Sequence, residues 1–152
     1  MRRPYVLLTI GVVVILFLAI SALLARVFSA DGAERTAITS LLDAEAKGDA
    51  NAVAAQIRDC SASASCRARA AANAKALGRP GHVSILTLQS SAGFSLTSTE
   101  GTARVAWRIG SSLPIVQCVR VRRAGNALSG LHIQLLTVSR RIKSDTACPA
   151  TY

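Results

Sequence analysis

Acidic residues are scarce in this chain, and tyrosine is scarcer. Eight Asp and Glu stand against 18 Lys and Arg, a formal net charge of +10. The only tyrosines are Tyr5 and Tyr152, and the only histidines are His82 and His132. General acid–base catalysis needs titratable groups within hydrogen-bond reach of one substrate. Between residues 83 and 142, which read as strands, Glu100 is the one acid. No tyrosine–aspartate pair is available there, and no catalytic residue is assigned. The chain also lacks G-x-S-x-G, a phosphate-binding loop and C-x-x-C, the marks of a serine hydrolase, a nucleotide site and a redox pair. Neither histidine lies near a cysteine in sequence, so no metal site and no cofactor are expected.

What is present begins with an apolar run. Residues 5–25 read YVLLTIGVVVILFLAISALLA, 21 residues without a charge. As a helix they span about 32 Å, close to the hydrocarbon thickness of a bilayer. A cleaved signal peptide is the competing reading. The run exceeds the apolar core of a typical signal, and Phe28-Ser29-Ala30 is a poor cleavage site. An uncleaved anchor is therefore expected. Arg2 and Arg3 precede it and Arg26 follows it, which sets the N-terminus inside and residues 31–152 outside. The expected organisation is a cytoplasmic N-terminus (1–4), the span (5–25), a linker (26–32), a folded domain (33–142) and a tail (143–152).

An even number of cysteines in an exported domain points to disulfides. The four are Cys60, Cys66, Cys118 and Cys148, and four cysteines allow three connectivities. Cys60–Cys66 and Cys118–Cys148 are favoured. The five residues between Cys60 and Cys66 are too many for the usual zinc spacing.

Charge is uneven along the chain. Residues 31–59 carry three cations against six acids, and residues 60–152 carry twelve against two. Arginine outnumbers lysine 15 to 3. A basic surface outside a membrane can face anionic lipid, cell-wall polymer or an acidic partner. Compositional bias toward arginine is the plainer explanation. Nucleic acid is not expected as a partner.

The folded region reads as helices followed by strands. Asp31 and Glu34 are spaced to cap a helix whose apolar face is Ala37, Ile38, Leu41, Leu42 and Ala46. Gly48 ends it and Asp49 caps a second helix, which stops near Asp59-Cys60. Ser65 is expected to cap a third, about 66–77, broken by Gly78-Arg79-Pro80-Gly81. Strands are expected at Val83–Leu88, with 94–97 as a continuation, then at 102–109, 114–123 and 128–142. Turns are expected at Thr99-Glu100-Gly101 and Ala124-Gly125-Asn126, with a bend at Gly130. This is an α+β order: an N-terminal transmembrane helix, then three helices on a curved antiparallel sheet of about four strands.

Alternation divides the strands into two faces. Val105, Trp107 and Ile109 point one way, as do Val119, Val121, Ile133 and Leu135. They line either a plain core or an apolar pocket. Arg104, Arg108, Arg120 and Arg122 point the other way, as a basic patch or a solvated face. His132 alternates with Leu131 and Ile133 and so points outward, while His82 follows Pro80-Gly81 in a loop.

The stretch AITSLLDAEAKGDANAVAAQI (37–57), with its Gly48-Asp49 break between two helices, resembles the opening of the nuclear transport factor two-like superfamily, the cystatin-like cone fold. The element order over 33–142 is similar to that family. An anchor ahead of the fold further resembles bacterial membrane-anchored relatives: lumazine-binding-like domains, mammalian-cell-entry-associated proteins and conjugation-channel components. The resemblance implies an extracytoplasmic accessory module. Enzymes of the superfamily use an aspartate with a tyrosine, or a histidine with an aspartate, inside the cone. The favoured expectation is a non-catalytic envelope domain that assembles with a partner protein or as a homo-oligomer. The alternatives are a lipid or small-molecule module using the pocket near Trp107, and, less favoured, an isomerase or dehydratase using His82 or His132.

Overall fold

The computed structural model describes residues 3–92, 98–126 and 130–152. The chain divides into two compact units, residues 1–32 and 33–152. In the first unit, every large apolar residue from Leu8 to Leu24 is exposed, by 45 to 69%. A surface helix of a soluble domain would bury one stripe, and the large apolar residues of this stretch bury none. Among the described residues, one helix is long and apolar enough to cross a membrane.

Helix α1 runs Arg3–Ala46. It is helical through residues 26–32, where a linker is expected, so Asp31 does not cap a helix start. Gly48, at φ +72°, ends α1 in the left-handed region. Asp49 then caps α2 (Ala50–Gln56), its carboxylate accepting from the Asn51 and Ala52 amides. A 3-10 turn over Cys60–Ala62 leads to α3 (Ala64–Leu77). The α3 cap is Ser63, two residues before the expected Ser65, because the Ser63 hydroxyl is the one that accepts from Cys66 N.

The second half is a four-stranded antiparallel sheet in the order β1-β2-β3-β4, with β1 Val83–Ser90, β2 Thr99–Ile109, β3 Ile115–Asn126 and β4 Gly130–Val138. The expected turns at Thr99–Gly101 and Ala124–Asn126 are strand instead. Glu100 pairs with Arg122 across β2 and β3, and Asn126 pairs with Gly130. Ladder hydrogen bonds and cross-strand partners hold these polar, glycine-bearing stretches extended. The β3–β4 turn and the 94–97 continuation fall outside the described residues. Register shifts, which bend a sheet, lie in β1 at Leu86 and in β4 at Leu136. The irregularity in β4 is therefore at Leu136, six residues past the expected Gly130.

One core joins the two halves of the domain. Ile38, Leu41 and Leu42 from α1, with Val53, Ala70 and Ala74, lie in the same buried cluster as Val105, Trp107, Val119 and Val121. At one end of the stripe Glu34 is buried with Arg123. The guanidinium donates through Nε and Nη2 to Glu34 Oε2, at 3.0 and 2.7 Å.

Candidate functional site

The seven residues considered for a pocket are placed in the core. Trp107, Val105, Val119 and Val121 are fully buried, Ile109 and Leu135 nearly so, and Ile133 packs against them partly exposed. Trp107 uses its one polar atom internally: Nε1 donates to Gln117 Oε1 at 2.8 Å. That bond leads into a buried polar cluster not expected from the sequence. Gln117 Nε2 donates to Ser139 O at 3.2 Å. Asn73 Nδ2, on α3, donates to the same carbonyl at 3.0 Å and to Glu45 Oε1 at 2.8 Å. Ser139 Oγ accepts from Cys118 N at 2.9 Å. Glu45, on α1, is completely enclosed, and its Oε2 has no hydrogen-bond partner. Burial pushes its carboxyl up to about 7 from an ordinary 4.5, against the pull of Asn73 and the Gln117 amide. Four side chains from α1, α3, β2 and β3 thus share one network with the Ser139 carbonyl of the segment after β4. A carboxyl poised near neutrality is the type of group that general acid–base chemistry uses, but here it is sealed by packing.

A signal for this cluster was present. Glu34, Ile38, Leu41, Leu42 and Glu45 follow one helical stripe, so both acids fall on the buried face. Gln117 is in phase with Ile115 and Val119, again on the buried face. A polar residue in phase with a core stripe is a candidate for a buried network.

The outer face of the sheet is occupied by the chain's own tail. Ser139 N donates to Cys118 O and Ile142 N to Val116 O, both at 2.8 Å, so the chain stays beside β3 after β4 ends. It then crosses the face. Arg104 donates to Ser144 O, Cys148 is bonded to Cys118, and Arg120 donates to Ala150 O at 2.7 Å. The Arg120 guanidinium lies 5.8 Å from the Tyr152 ring centre, within cation–π range. Arg122 pairs with Glu100. Of the four arginines considered as a basic patch, three therefore serve the tail or Glu100, and Arg108 remains exposed. His82 and His132 are both exposed, so neither projects into the packed interior, where the isomerase or dehydratase alternative would place it. No group of three metal-ligating side chains occurs among the described residues.

Both cysteine pairs are bonded, Cys60–Cys66 and Cys118–Cys148. In the chain-entropy view the short loop is worth about 2 kcal/mol and the longer one about 3–4. Replacing Cys118 and Cys148 together by alanine should lower unfolding stability by that larger amount. It should also make the last ten residues sensitive to a protease that leaves the native chain intact. Urea unfolding and limited proteolysis check this, and an unchanged tail would mean that the arginine contacts alone hold it.

Compared with known proteins, the chain matches no family model, no curated protein and no solved structure.

Proposed function

We propose that this chain is a single-pass membrane protein. Its N-terminus is inside, and residues 33–152 form a non-catalytic extracytoplasmic domain that assembles with another envelope protein. One conjunction carries the reading: an exposed apolar helix precedes a domain whose four cysteines are all paired. Structural disulfides persist outside the reducing cytosol. The arginines at positions 2 and 3 favour the same orientation. The non-catalytic element is supported by where the titratable groups lie. Glu45 is sealed, both histidines are exposed, and Trp107 is committed to Gln117. The helix-then-meander order supports a place in the nuclear transport factor two-like superfamily. The reading requires no cofactor.

Native mass spectrometry of the full-length protein, released in mild detergent without reductant, tests it. The expected mass is four hydrogens short of the reduced chain, through two disulfides, with a second protein retained. Four free thiols would overturn the topology. A lone oxidised chain carrying a small molecule would overturn the assembly role.

A further inference from the structure

The eight acids of the chain are nearly all committed. Glu34 pairs with Arg123, Asp59 with Arg58 and Glu100 with Arg122. Asp49 caps α2, Glu45 is enclosed, and Asp31 has a partner of its own. Only Asp43 and Asp145 are left. The cations are not matched in this way. Arg108, Arg140, Arg141 and Lys143 are all exposed, with no ion pair among the described residues.

Arg108, Arg141 and Lys143 come to one end of the domain. Arg141 and Lys143 line an open cleft of about 760 Å³ together with Pro114, Val116 and Ile142. Arg108 lies on the same sheet face as Val116, one residue beyond the Trp107–Ile115 pair. Leu113, next to Pro114, is 80% exposed, the most exposed large apolar side chain described. Asp145 is the one carboxylate at the cleft.

We propose that this cleft, floored by Val116 and Ile142 and flanked by Leu113, Arg108, Arg141 and Lys143, docks an acidic segment of a partner protein. The inference rests on the assembly reading above and assigns it a surface. Charge complementarity selects the occupant. A second copy of this chain would bring a net charge of +10 to a basic site. A sugar-phosphate polymer would match the cations but leave Leu113 and the apolar floor unused. A peptide carrying acids around an apolar residue satisfies both. An anionic bilayer offers both chemistries too, but a bilayer is flat and this site is a cleft, and a lipid adduct is one outcome of the test below.

Site-specific photo-crosslinking of the full chain in its native membrane tests the proposal. Leu113→p-benzoylphenylalanine is the probe, with the same replacement at exposed Lys75 on α3 and Gln89 on β1 as comparison positions. The expected product at position 113 is a protein adduct whose cross-linked peptide is rich in Asp and Glu. Its yield should fall about tenfold when Arg141→Glu and Lys143→Glu are added, because like charges then face each other. A lipid adduct, a polymer adduct or a self-adduct at 113 would overturn the proposal in favour of that occupant. Protein adducts at Lys75 or Gln89 but not at 113 would sink this site and leave the assembly reading standing. Absence of protein adducts at all three positions would sink both.

Discussion

Glu34→Ala should destabilise the domain by about 3–5 kcal/mol, the cost of removing one partner from a buried ion pair. That is a large share of the roughly 5–15 kcal/mol that holds an ordinary domain folded. The Glu34 side chain is 1% exposed and that of Arg123 8%, so neither charge reaches water. Truncation leaves a buried guanidinium without its carboxylate, and the loss exceeds what the pair contributes in place. The exposed Glu100–Arg122 pair is the internal control, with side chains 47% and 36% exposed. Glu100→Ala should cost no more than about 1 kcal/mol, since solvent screens that pair. Trp107 is the sole tryptophan and is fully buried, so its fluorescence reports unfolding of the full-length protein in detergent. Equal losses for the two variants would show that the Glu34 carboxylate is solvated. Glu34→Leu with Arg123→Leu should recover much of the loss, because a well-packed apolar pair replaces a buried charge pair at little cost.

The sequence made the sheet legible because its strands alternate cleanly. Val105, Trp107 and Ile109 are buried while Arg108 is exposed between them, as a period of two requires. Gly48 and Asp49 were legible for a local reason: a left-handed helix end and a side-chain cap depend on neighbouring residues alone. The misread elements were those decided by partners far along the chain. Asp31 and Glu34 have the spacing of a capping box, but the helix passes through them and Glu34 is taken by Arg123, 89 positions away. Thr99–Gly101 has turn composition, yet pairing with Val121, Arg122 and Arg123 extends it. Gly101 is also required by packing, since a Cβ there would collide with the Ala92 backbone. The arginine face was legible as a face but not as a tail seat. Nothing local says that Ser144 and Ala150 carbonyls come back to accept from Arg104 and Arg120.

The same distinction governs Glu45, whose spacing marks it as buried but whose partners come from α3 and the sheet. Its carboxyl gives the second large expected effect, one that depends on pH. Unfolded, it titrates near the ordinary 4.5; folded, burial lifts it to about 7. Below pH 4.5 the group is protonated in both states and carries no penalty. As pH rises toward 7 the unfolded chain releases this proton and the folded chain keeps it, so stability falls. At about 1.36 kcal/mol per pH unit, the loss reaches about 3 kcal/mol and levels off above pH 7. Glu45→Gln keeps an oxygen for the Asn73 amide but has no proton to lose. The stability of the variant relative to the native chain should therefore climb by about 3 kcal/mol between pH 4.5 and 7.5. All other titrating groups are common to both chains and cancel in that difference. Urea midpoints measured through Trp107 across this range decide the matter. A flat difference would place the Glu45 carboxylate in contact with water or a cation. A climbing one would mean that the domain holds a protonated acid at its centre below about pH 7.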